Sequence, residues 1–150
     1  LKESYEDPPK QNILGYEPNA YVINHLNIAL SKKILRTTII PNRRTLQIVK
    51  VLYQIGCIRQ FMILNQHKLN GKVKKILRFT VLFYKTRPYF KGVRLVSTCS
   101  RKFRITLSGL KVAMSFLKAS VIILSTSKGV MSHNEAINLG IGGLILCVLN

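Results

Sequence analysis

The stretch from Val121 to Asn150 constrains the chain most, because its punctuation leaves few backbone paths open. Val121-Ile122-Ile123-Leu124 is a β-branched apolar run of strand type. Ser125-Thr126-Ser127-Lys128-Gly129 follows, with three hydroxyls, one cation and one glycine. Ser132 stands three residues before Glu135, the spacing of a capping box at a helix start. Gly140 marks the helix stop. Gly142-Gly143 then turns the chain into Leu144-Ile145-Leu146-Cys147-Val148-Leu149, a second buried strand. The expected order is strand, hydroxyl loop, short helix, glycine turn, strand. Ser132, Glu135, Gly142 and Gly143 are the expected structural support of the loop.

Charge narrows the function. The chain holds 24 Lys and Arg against 5 Asp and Glu, for a formal charge of +19. Four of the acids, Glu3, Glu6, Asp7 and Glu17, lie in residues 1–17, a Pro-containing extension of net charge −2. Residues 18–150 carry +21 with one carboxylate, Glu135. Such a body cannot neutralise itself by ion pairs, and self-repulsion on that scale calls for a polyanion partner. Nucleic acid is the natural one. With one acid in the body, two-carboxylate catalysis and ordinary metal sites lack parts. Cys57, Cys99 and Cys147 are odd in number and widely spaced, so they read as reduced thiols in or near the core. His25, His67 and His133 have no metal-ligand spacing with them. No apolar run has the length of a membrane span, and the acidic start has the character of neither a signal nor a transit peptide. No cofactor, small-molecule substrate or membrane insertion is expected.

Taken in order, 1–17 reads as an extension, 18–85 as an N-terminal α/β domain and 86–150 as a C-terminal domain that is mostly β with a short helix. Val22, Leu26, Ala29 and Leu30 recur at helical spacing. Arg36 to Ile40 is a strand ended by Pro41. Asn42 is a good N-cap for a second helix, with Leu46, Val49, Leu52 and Tyr53 as its buried stripe and Gly56 as its stop. Ile58–Leu64 and Lys74–Tyr84 read as strands joined by the Asn70-Gly71 turn. Residues 87–92 form the linker. Arg101, Lys102 and Arg104 keep the next segment basic, and Leu107–Ala119 has helical spacing through Leu110, Met114 and Leu117.

The run Ser125 to Ser132, then Glu135-Ala136, Leu139 to Gly143 and Leu146-Cys147, resembles the C-terminal signature of the small-subunit ribosomal protein number eight family, of the bacterial and organellar type. About two dozen positions match in order without a gap. Upstream the likeness is looser and extends back to about residue 17. The resemblance implies a two-domain α/β (α+β) protein, not an enzyme, bound to rRNA of the small-subunit central domain and to neighbouring ribosomal proteins, and active in subunit assembly and translation. It implies a primary RNA contact at Ser125, Thr126, Ser127, Lys128 and Gly129. Hydroxyls there suit phosphate, 2′-OH and base edges, Lys128 adds charge, and Gly129 allows close backbone approach. Arg43 and Arg44 oppose the dipole at their helix start, which makes sense if phosphate binds there. Lys32 and Lys33 stand just beyond the first helix, where the family's own basic positions are taken by Asn24, His25 and Asn27. Arg101 and Lys102 complete the expected RNA-binding set. Leu144 stands where the family commonly has an acid, and Asn150 where it has an aromatic. These relaxed positions, the Ile, Leu, Lys and Asn content and the acidic extension fit a mitochondrial version more than a plastid one.

Blander readings stand beside these. The hydroxyl loop also reads as a plain turn. Ser125-x-x-Lys128 matches the S-x-x-K of serine β-lactamases, but the companion S-D-N and K-T-G elements do not occur. Gly140-x-Gly142-Gly143 follows a helix and enters a strand, the reverse of a dinucleotide loop. Tyr84, Tyr89 and Phe90 suit either base stacking or packing between domains. A general basic nucleic-acid binder without ribosomal specificity needs only the charge, and is the alternative function.

Overall fold

The structure is a computed structural model and describes residues 18–98, 100–117 and 120–150. The extension 1–17 with its four acids, Cys99 and Ala119 lie outside the described residues. The chain divides into two compact units, the first ending at Tyr89 and the second spanning Phe90–Asn150.

In the first unit α1 (Pro18–Ser31) buries Val22, Leu26, Ala29 and Leu30, the stripe its spacing predicts. It ends on Lys33, whose φ of 54° lets the Ile34 amide donate back to the Ala29 carbonyl at 2.9 Å. β1 (Arg36–Ile39) leads to α2 (Arg43–Ile55). Asn42 caps α2 as expected. Its side chain accepts from the Thr45 amide at 3.0 Å, and the Asn42 amide donates to Thr45 Oγ1 at 2.8 Å. Such a reciprocal cap contributes about 1 kcal/mol. Gly56 ends the helix with φ 94°. The buried stripe of α2 is rotated from the expected one. Thr45, Ile48, Val49, Val51 and Leu52 face inward, Leu46 is half-buried, and Tyr53 lies outside, edge-on to Phe61 at 5.6 Å.

β2 (Ile58–His67) and β3 (Val73–Val81) pair along their whole length, and β1 adds to the other side of β3. The sheet order is β1-β3-β2, all antiparallel. Leu77, Phe79 and Val81 alternate into the core, as the period-two pattern predicts. β2 runs three residues beyond its expected end at Leu64. The expected single strand to Tyr84 breaks after Val81, and Phe83–Tyr84 (β4) instead pairs with Arg87–Pro88 (β5). Part of the expected linker is thus a tight hairpin.

That hairpin turns on Lys85 and Thr86, with φ of 47° and 68°. Two-residue turns of this hand need positive φ at both positions, which suits Asn-Gly and strains a β-branched residue. Lys85→Asn/Thr86→Gly is expected to raise stability by about 1–2 kcal/mol. Chemical denaturation of wild type and variant side by side would read it, and an unchanged or lower midpoint would refute it.

In the second unit β6 (Val93–Leu95), β7 (Arg104–Ile105), β8 (Val121–Thr126), β9 (Gly129–Ser132) and β10 (Gly143–Leu149) form one antiparallel sheet. Its order is β6-β10-β8-β9, with β7 also on β10. Leu110 of α3 (Leu107–Phe116) and Ala136 of α4 (His133–Leu139) pack on Ile122, Leu124 and Met131. This unit holds both helices that the spacing predicts, the first ending at Phe116. The expected inward stripe of α3 is only partly met. Leu110 is buried and Leu117 half-buried, but Met114 is 47% exposed, and Val112 and Phe116 also face out. A ten-residue helix touching the core through one turn leaves the rest of its apolar side chains outside.

Candidate RNA interface

The hydroxyl segment is a β-hairpin rather than a loop. Ser125 and Thr126 are still strand β8, Gly129 opens β9, and only Ser127 and Lys128 form the turn. Strand β9 was invisible in the sequence because Val130-Met131-Ser132 is too short to show a period. Pairing runs Thr126 with Gly129, Ser125 with Val130 and Leu124 with Met131. Gly129 takes φ 111°, which a side chain would resist. Thr126 locks the turn. Its Oγ1 donates to the Gly129 carbonyl at 2.8 Å and accepts from the Lys128 amide at 3.2 Å. That leaves Ser127 and Lys128 exposed at the tip and Ser125 half-buried below them.

The base of the hairpin is held by close backbone approach. A Cβ on Gly143 would lie 2.5 Å from the Ser125 carbonyl oxygen. A Cβ on Gly142 would overlap the Ile105 carbonyl oxygen and crowd the adjoining Thr106 backbone. The two glycines thus let the start of β10 fit between β8 and the end of β7. The expected capping box does not form. Ser132 is the N-cap of α4 by backbone geometry but makes no side-chain cap hydrogen bond. Ser132 also belongs to β9, opposite Ile123, so the strand ladder sets its conformation. Glu135 is exposed in the first turn, where its charge complements the helix dipole.

His133 supplies a support that sequence reasoning missed. It is buried, and its Nδ1 accepts the Ile122 amide at 3.1 Å, tying the start of α4 to β8. A lone histidine after a strand carries no sequence signal of this role. Burial holds its imidazole below the usual histidine range. The unfolded chain binds a proton near pH 6.5 while the folded ring resists it. Stability from this group is therefore full above that pH and is lost as pH falls toward the folded value. Lowering pH from about 7.5 to about 5.5 is expected to reduce the thermal midpoint. His133→Asn, which keeps an acceptor for the Ile122 amide, is expected to flatten that dependence. Equal slopes for the two proteins would exclude His133 as the source.

Basic side chains flank the hairpin. Leu144 pairs with Ser125 on one side and Arg104 on the other, so all three share a face. Arg104 is exposed two strands from Ser125, roughly 9–10 Å across the sheet. Arg101 and Lys102 are exposed just before β7. The Thr98 amide donates to the Arg101 carbonyl at 2.7 Å, the Phe103 amide to buried Ser97 Oγ at 3.0 Å, and the Ile145 amide to the Phe103 carbonyl at 2.8 Å. These bonds lay the basic segment along β10. The structure thus gathers Ser125, Ser127, Lys128, Arg101, Lys102 and Arg104 in one unit.

Lys32, Lys33, Arg43 and Arg44 belong to the other unit and are all exposed. The two pairs stand at opposite ends of β1, so they form two sites and not one. His25 is buried, its Nδ1 donating to the Tyr21 carbonyl at 2.9 Å, and offers nothing to RNA. Of the three aromatics, Tyr84 and Tyr89 are exposed and Phe90 is buried, so Phe90 is a packing residue. Cys57 and Cys147 are buried, and burial pushes the Cys57 thiol up to about 12. Among the described residues no three metal-ligating side chains come together, and no helix is long and apolar enough to cross a membrane.

Residues 18–149, the whole of both units' described elements, match the family model for ribosomal protein S8. The chain belongs to the ribosomal protein S8 family. This is a family of structural ribosomal proteins and not of enzymes. The small ribosomal subunit protein uS8 of Orientia tsutsugamushi is 30% identical over 128 residues, covering 85% of this chain and 92% of that one. That of Prochlorococcus marinus is 31% identical over 133 residues, covering 89% and 96%. The uS8m protein of Acanthamoeba castellanii is 24% identical over 129 residues, covering 86% and 95%. In the S8 chain described here, the glycine-dependent hairpin lies within the matched region.

Proposed function

We propose that this chain is a structural component of the small ribosomal subunit that binds rRNA of the central domain through the β8–β9 hairpin, and that it works in the mitochondrial ribosome. The observation that carries the reading is the hairpin itself. Its tip offers Ser127 and Lys128 to solvent, Ser125 shares a face with Arg104, and Thr126 is spent on holding the turn. Hydroxyls select RNA shape and 2′-OH groups, and the cations bind phosphate. Residues 90–150 form the rRNA-binding domain in this reading. Arg43-Arg44 and Lys32-Lys33 add phosphate contacts from the first unit, and neighbouring ribosomal proteins cover other surfaces. The mitochondrial assignment rests on the relaxed signature positions and on the likeness to a uS8m protein at 24% identity, beside bacterial relatives at 30–31%. Import of a tagged chain into mitochondria supports it, and residence in the cytosol or nucleus refutes it.

The binding test is a titration of the full chain against a central-domain stem with an irregular internal loop, beside a regular duplex, over a range of salt. Tighter binding to the irregular stem at every salt concentration is expected. Equal affinities with equal salt slopes would leave charge alone as the cause, and the general nucleic-acid binder would replace this reading.

A further inference from the structure

The β2–β3 hairpin extends well past the helices that cover its base. Leu77 on β3 is fully buried, yet Ile63, its partner on β2, is 50% exposed. Every residue from Asn65 to Val73 is exposed. From the Ile63–Leu77 rung to the His67–Val73 rung the ladder runs roughly 13 Å further. Its end is closed by the Lys68 amide donating to the Lys72 carbonyl at 2.9 Å and by Gly71 at φ 77°. The prong is therefore ordered by its own hydrogen bonds.

Its chemistry is uniform in sign. Lys68, Lys72, Lys74, Lys75 and Arg78 lie on it, and it has no acid. The register puts Lys74 and Arg78 on one face, with Gln66 and Met62 opposite them, and Lys75 with Asn65 on the other face. Lys68 and Lys72 lie at the tip. Burial, and then the charge of Lys68, hold the Lys74 ammonium below its usual range. Among the described residues the single side-chain carboxylate is Glu135, in the other unit. Apolar side chains stand between the cations. Met62, Ile63 and Val73 are exposed on the arms, and Leu69 at the tip is 112% exposed, wholly in solvent. A hairpin kept only for solubility has no use for a leucine there.

We propose that the β2–β3 hairpin is a second RNA-binding element, a prong that sits between two rows of rRNA phosphates with Leu69 against an unstacked base. The proposal rests on the reading of the chain as an rRNA binder and adds a contact separate from the β8–β9 hairpin. Cations on both faces and at the tip need anions on both sides, which a groove or a junction of two backbone strands supplies and a flat surface does not. An apolar side chain at the tip is matched by the face of a base exposed in a bulge or loop.

The test is footprinting and salt-dependent binding of the full chain on a central-domain rRNA transcript. Wild type is compared with Lys68→Gln/Lys72→Gln/Lys75→Gln, with Leu69→Ser and with Ser125→Ala/Ser127→Ala. The lysine variant is expected to lose one patch of protection, distinct from the patch lost by the serine variant. The slope of log K against log salt should shrink by about two, at roughly 0.7–0.9 per contact. Leu69→Ser should lose protection at the base it covers while keeping the salt slope. Lys68, Leu69, Lys72, Lys75 and Ser127 are exposed and Ser125 is half-buried, so thermal midpoints should stay with wild type. A wild-type footprint and slope in the lysine variant would overturn the prong alone. Protection of the prong that arises only when neighbouring ribosomal proteins are added would overturn it in favour of a protein partner. No footprint for wild type itself would overturn the rRNA reading and the prong together.

Discussion

Gly143→Ala is expected to lower stability by about 1–3 kcal/mol and to weaken RNA binding along with it. The added Cβ would lie 2.5 Å from the Ser125 carbonyl oxygen, 2.9 Å from Thr126 Cγ2 and 3.2 Å from the Ser125 carbonyl carbon. Two of those three atoms are backbone and cannot rotate away. Relief requires β8 to move from β10, and Ser125 and Thr126 carry the hairpin with them. Movement of β10 the other way is blocked, because Gly142 already lies against the Ile105 carbonyl and Thr106. Gly140→Ala is the control. Its site is open and its φ is 71°, so it should cost only about 1–2 kcal/mol of left-handed strain and leave RNA specificity intact. Thermal denaturation and titration on the same preparations separate the two. A Gly143→Ala protein as stable as wild type, with the same RNA affinity, would remove the glycine pair from any role in shaping the hairpin.

Ser125→Ala/Ser127→Ala is expected to cost about 1–3 kcal/mol of binding on the irregular central-domain stem, which is roughly 5- to 150-fold in affinity. Regular duplex should be bound almost as before if, as proposed, its phosphates are met by Lys128, Arg101, Lys102 and Arg104. The hydroxyls do not hold the hairpin together. Thr126 does that, through the Gly129 carbonyl and the Lys128 amide. The serine variant should therefore melt with wild type. Thr126→Val should show the opposite pattern, a lower melting point and weaker binding to both RNAs as the turn loosens. Identical losses of the serine variant on both RNAs, or no loss on either, would take specificity away from the hydroxyls.

Much of the site's chemistry is legible in the primary structure, because residue types alone carry charge and hydrogen-bonding capacity. The excess of cations, the hydroxyl run and the glycine pair are local facts. So are the Asn42 cap, the Gly56 stop and the alternation of Leu77, Phe79 and Val81, each dictated by neighbours a few residues away. Where the pattern misleads, a distant partner decides. The Ser132 and Glu135 spacing promises a capping box, but Ser132 is held in the β9 ladder opposite Ile123. Thr126 looks equivalent to its serine neighbours until the turn geometry points its hydroxyl at Gly129. Met114 follows the helical period of α3 yet faces outward, since that helix is packed mainly through Leu110.

The sequence by itself determined the partner class and the kind of site. A body with one carboxylate among 22 cations requires a polyanion wherever its elements pack. Tertiary structure decided which residues act together. It set Arg104 across β10 from Ser125, buried His133 against the Ile122 amide, parted the Lys32 pair from the Arg43 pair, and carried the Lys68–Lys72 tip clear of the helices. Strand pairing joins residues that are far apart in sequence, and the register that aligns them depends on burial summed over a whole face, which no local stretch contains.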